Sequence, residues 1–117
     1  MVAVAVAAPA HAASTSPDLQ CVSGDPDVSS VYISGNLLVI QFTPNARNSV
    51  DVTIRQKGGA ATIHYNLVPP GTPTNNVPHM KNYTPGGSFT IPLTFPYNRE
   101  TDWFQVKTIH NENCVEV

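Results

Sequence analysis

From residue 18 onward, apolar side chains recur at every second position, the period of a β-strand with one face turned to a core. The alternation is complete over 50–56, where Val50, Val52 and Ile54 oppose Asp51, Thr53 and Arg55. Over 37–43, Leu38, Ile40 and Phe42 share one face, but Leu37 and Val39 make the other face apolar too. That predicts a central or doubly covered strand. Segment 60–68 sets Ile63, Tyr65 and Leu67 against Thr62, His64 and Asn66, and 88–95 aligns Phe89, Ile91, Leu93 and Phe95. Segment 28–34 is less regular, with Val28, Val31, Tyr32 and Ile33. Segments 103–109 and 114–117 complete the set. No stretch carries the spacing of an amphipathic helix.

Turn residues separate these runs. Gly35-Asn36 marks a turn, and Lys57-Gly58-Gly59 tolerates positive φ and predicts a hairpin into 60–68. Pro44, Pro92 and Pro96 are confined to edges, bulges or strand ends. About seven short strands joined this way predict an all-β fold, an antiparallel β-sandwich of Ig-like or fibronectin-III-like type. A jelly roll or small open barrel is the alternative. The Cys-Trp-Cys spacing of antibody domains is missing, because Trp103 lies close to Cys114 and both cysteines sit near the chain ends.

Composition narrows the class. A chain of 117 residues makes one domain, and its 12% charged residues are about half the usual share. Its 11 prolines favour turns over helices. A formal net charge of -2 offers no basic field for nucleic acid or an anionic membrane. No apolar run approaches the roughly 20 residues of a membrane span. A monomer is expected.

Residues 1–12 stand apart: an uncharged Val/Ala run followed by Ala10-His11-Ala12, a small-x-small pattern of the kind signal peptidase cleaves. The expected organisation is a leader over 1–12, a flexible N-terminus over 13–17 and a single domain over 18–117. Export, or delivery to a periplasm, suits the two cysteines, Cys21 and Cys114. A bridge between them would staple the terminal strands and close a loop of on the order of 100 residues, for which chain entropy gives about 4.7 kcal/mol.

Chemistry-bearing motifs are sparse. There is no nucleophile elbow, phosphate-binding glycine loop or His-Glu-x-x-His, and no acid, base or nucleophile can be nominated. A non-enzymatic protein without cofactor or metal is therefore expected. Asp25-Pro26-Asp27 has the oxygens for calcium, but an Asx turn ahead of Val28 is the favoured role. His64 falls on a polar strand face, His110 at a strand end and His79 in a loop. Cleavage after Ala10 would instead make His11 the mature N-terminus, an amine-plus-imidazole ligand for copper. The order Ala8-Pro9-Ala10-His11 resembles the leader boundary of small periplasmic copper carriers and copper polysaccharide monooxygenases, which implies a copper-binding alternative.

The strongest candidate surface is the long connection 69–87, longer than an ordinary structureless loop and stiffened by five prolines. Val77, His79, Met80, Lys81 and Tyr83 supply its contact groups. A crossover between sheets, with a short edge strand covering one end of the core, is the competing structural role. Asn82-Tyr83-Thr84 is a glycosylation sequon. Trp103 and Phe104 must point to opposite faces; if Phe104 and Val106 enter the core, Trp103 lies outside with Gln105 and Lys107. These features predict a small secreted binding module with a protein or glycan partner. A secreted hydrolase (protease) inhibitor using the same loop is the second possibility.

Overall fold

A computed structural model describes Asp18, residues 22–57 and residues 62–111. Within them lie seven strands: β1 Val28–Ser34, β2 Leu37–Phe42, β3 Val50–Arg55, β4 Ile63–Val68, β5 Met80–Asn82, β6 Ser88–Pro92 and β7 Trp103–Lys107. They form two sheets, one ordered β1-β2-β6 and the other β5-β4-β3-β7. All pairings are antiparallel except β5 on β4, which is parallel. The cysteines, the predicted bridge, the last strand, the leader and the Gly58-Gly59 turn lie outside the described residues. Among the described residues, no helix is long and apolar enough to cross a membrane.

The sandwich core follows the alternation. Leu38, Ile40 and Phe42 from one sheet meet Val50, Val52, Ile54, Leu67, Phe104 and Val106 from the other in a single buried cluster. The strand predicted as central, β2, has a neighbour on each side, and so does β3. The irregular spacing in β1 has a local cause. The ladder pairs Val28 with Phe42 and then Ser30 with Gln41, so Ser29 is an extra residue, and its hydroxyl donates to the Gln41 carbonyl. This bulge lets Val28 and Val31, three positions apart, both face the core. Gly35 takes a positive φ of 62° at the first turn position, as a type II′ hairpin between β1 and β2 requires.

One assignment changes. β6 ends at Pro92, on a sheet edge, and the chain then leaves the ladder. Leu93 is still buried, but Phe95 is exposed. The departure is built by Gln56: its side-chain oxygen accepts from the Thr94 and Phe95 amides, and its Nε2 donates to the Phe95 carbonyl. Those bonds turn residues 94–95 across the sandwich end and rotate Phe95 outward.

Buried aspartates close both ends. At one end Asp25 accepts from the amides of Asp27 and Val28, the expected Asx turn, and from the Thr108 hydroxyl at 2.5 Å. Beside it, fully buried Asp27 accepts from the Arg47 and Asn48 amides and the Asn48 side chain. Burial opposes its charge, but these donors and nearby His110 outweigh that and hold its pKa below the usual carboxylate range. At the other end Asp18 is fully buried, accepting from the Tyr97 hydroxyl at 2.6 Å and from Arg99 at 2.7 Å. Burial and that bond push the Tyr97 phenol well above its ordinary range. Asp102 nearby is likewise buried yet held below the usual range by the Lys57 and Asn98 amides.

Candidate functional site

The connection 69–87 is the crossover from the four-stranded sheet to the three-stranded one, and it carries β5 along the way. Two back-to-back turns shape its tip. The Val77 amide donates to the Thr74 carbonyl at 2.8 Å, with Asn75 and Asn76 at φ 50° and 61°, the signature of a type I′ turn. The Met80 amide then donates to the Val77 carbonyl at 3.2 Å, with Pro78 and His79 as central residues. His79 has φ 63°, so this is a type II turn in which histidine holds the position glycine usually fills. Its ring stacks on Tyr65 at 4.4 Å, which offsets part of the strain.

Below the tip, the crossover is fastened at several points. Asn82 donates from one amide nitrogen to the Pro69 carbonyl at 2.8 Å and the Thr72 carbonyl at 3.0 Å. Tyr83 is 3% exposed; its ring lies flat on Phe42 at 4.0 Å, and its hydroxyl donates to the Asn48 carbonyl. Tyr83 was expected among the contact groups and is a core residue instead. A single aromatic in a polar loop carries no sequence mark of the ring it will meet across the sandwich.

The remaining loop candidates divide across the sheet edge. Met80 is in register with Asn66 on the outer face, whereas Lys81 is in register with Leu67 on the core side and remains exposed at the edge. His79, one residue before the ladder, stacks on the core-side Tyr65. Val77, 49% exposed, and Pro78 stand over the outer face with Met80. Val77, His79, Met80, Lys81 and Tyr83 therefore do not make one surface. Trp103 is half-buried and shares its register position with Arg55, while Phe104 and Val106 are buried, so its ring is on the outer face.

What the crossover does make is a groove. Val77, Pro78 and Met80 overhang the outer face of the four-stranded sheet and enclose an open cavity of about 500 Å³. Its floor comes from three adjacent strands. Asp51 on β3 is in register with Asn66 on β4 and Lys107 on β7, and the next row is Thr53, His64 and Gln105. Side-chain bonds tie these rows: Asn66 donates to Asp51 at 2.6 Å, and Thr53 lies 3.1 Å from Nδ1 of His64. Their outward direction was readable from the alternation. Their assembly was not, because it depends on β3 pairing with both β4 and β7. Among the described residues, no group of three or more His, Cys, Asp or Glu side chains is placed to hold a metal ion.

No family model, curated protein or solved structure matches this chain.

Proposed function

We propose that this chain is a small secreted, non-catalytic binding module of Ig-like or fibronectin-III-like construction, whose contact surface is the groove beneath residues 77–80. The observation that carries the proposal is the fastening of a long proline-rich crossover over a polar sheet face. The tip is ordered by its two hydrogen-bonded turns and the His79–Tyr65 stack, which hold three non-glycine residues at positive φ, and the Tyr83 ring anchors the crossover below it in the core. A preshaped groove loses less entropy on binding than a free loop. The Ig-like assignment is supported by strand order: the β1-β2 hairpin is joined by β6 and the β3-β4 hairpin by β7, so the chain crosses between sheets in Greek-key fashion. Secretion rests on the residue 1–12 pattern and the two cysteines.

The inhibitor alternative is less supported. Met80 and Lys81, its natural contact residues, are committed to a β-ladder rather than presented on an extended loop. The copper alternative depends on His11, outside the described residues.

The test is immobilised full-length protein challenged with culture-medium and host-surface fractions. Material retained by the wild type and by Tyr32→Ala, but not by Asp51→Ala or Gln105→Ala, supports the groove. Retention unaffected by the groove substitutions contradicts it.

A further inference from the structure

We infer that the groove takes a neutral oligosaccharide, with Trp103 as a stacking platform beyond its Gln105 end. The inference rests on the binding-module proposal and adds the class of ligand. Its first support is size. A cavity of about 500 Å³ falls within the range of about 300–1,000 Å³ typical of small-ligand sites.

The second support is the chemistry of the floor. Thr53, His64, Asn66 and Gln105 present hydroxyl, imidazole and amide groups, and the two formal charges on the floor, Asp51 and Lys107, cancel. The floor itself offers an ionic ligand no net countercharge, and Arg55 stands at the platform end, in register with Trp103. An apolar ligand would strip water from these groups without replacing their hydrogen bonds, a penalised exchange. Vicinal hydroxyls donate and accept at once, matching planar side chains that do the same. The floor is also set beforehand: Asn66 is held on Asp51, and Thr53 on His64. The first of these bonds engages the Asn66 amide nitrogen and one Asp51 oxygen, so each side chain keeps further hydrogen-bonding capacity.

The third support is the pairing of this polar floor with apolar flanks. Val77, Pro78 and Met80 offer C–H surface on one side. Along β7, Trp103 lies two residues from Gln105 on the same face, roughly 7 Å away. A sugar ring has an apolar face and a hydroxyl rim, so it needs both kinds of surface within one ring's reach. An aromatic ring partly exposed on an otherwise polar sheet supplies the first.

The experiment uses full-length, unreduced protein on an array of gluco-, xylo-, manno- and N-acetylglucosamine oligosaccharides, with uronic-acid oligomers as a separate arm. Calorimetric titration with the strongest neutral hit follows. The inference expects binding to at least one neutral series, weakened roughly tenfold or more by Trp103→Ala and by Gln105→Ala and unchanged by Tyr32→Ala. Gln105→Ala keeps the test open should Trp103→Ala fail to fold. Retention of no neutral series, of uronic-acid oligomers alone, or binding indifferent to both substitutions would overturn it. If neutral glycans fail while the groove substitutions still abolish capture in the preceding assay, the ligand class falls and the binding-module proposal stands. Failure of both assays removes both.

Discussion

The two outer faces of this sandwich are built by the same alternation and come out differently. On the three-stranded sheet the outward rows are Ser30-Gln41-Ser88, Tyr32-Val39-Thr90 and Ser34-Leu37-Pro92. These are mostly short side chains around one tyrosine, and none of them lines the groove. On the four-stranded sheet the rows carry Asp51, Asn66 and Lys107, then Thr53, His64 and Gln105, with the crossover tip above them. A sheet face becomes a groove here because a connection is fastened over it. The strand residues already differ, short and partly apolar on one outer face and hydrogen-bonding on the other, and the overhang turns the second into a groove.

Releasing the overhang should separate the faces most. Tyr83→Ala removes a buried ring stacked on Phe42 and is expected to cost about 3 kcal/mol, measured by denaturant unfolding. Tyr32→Ala, on the outer face of the three-stranded sheet and 44% exposed, should stay within about 0.5 kcal/mol of wild type. A Tyr83→Ala effect no larger than that of Tyr32→Ala would mean the crossover is not anchored as described.

Acid should loosen the ends of the sandwich that hold both faces together. Asp27 and Asp102 have folded pKa values below the ordinary carboxylate value. Their contribution is therefore fully present above the unfolded value of about 3.9 and is lost as pH falls through the folded values. Thermal melts should be nearly flat between about pH 7 and 5 from these groups and decline below about pH 4. Asp27→Asn should flatten that acid limb; an unchanged limb would count against the Asp27 assignment.

Asn82→Ala cuts the two bonds to Pro69 and Thr72 and should cost about 1–2 kcal/mol, with faster amide exchange at Thr72 and little change in β1 or β2. The smallest effect is expected at His79. His79→Gly relieves a strained φ but loses the Tyr65 stack, so stability should move by less than about 1 kcal/mol. A larger loss would show that the ring contact outweighs the turn.

Much of the fold was legible because alternation is a local property. Val50, Val52 and Ile54, or Leu38, Ile40 and Phe42, announce their faces without knowledge of any partner. The β1 bulge was less visible: the sequence shows Val28 and Val31 out of phase but not the Ser29 contact that reconciles them. Phe95 was misassigned because Gln56, far away in sequence, captures the backbone beside it. The site was legible only in parts. Trp103 could be placed outside by the inward claims of Phe104 and Val106, and residues 69–87 stood out by length and proline content. The groove floor could not be read, since its rows join three strands distant in sequence. Tyr83 was misassigned for the same reason, its partner Phe42 lying on the opposite sheet.

The most direct test is an amide-shift map of the ¹⁵N-labelled protein, titrated with the neutral oligosaccharide that gives the strongest array response. Shifts concentrated at Asp51, Thr53, His64, Asn66, Gln105 and Lys107, with the Trp103 indole moving alongside, are the predicted result. Shifts centred on Tyr32, Val39 and Thr90, with the groove residues unmoved, would contradict the assignment of the covered face as the binding surface.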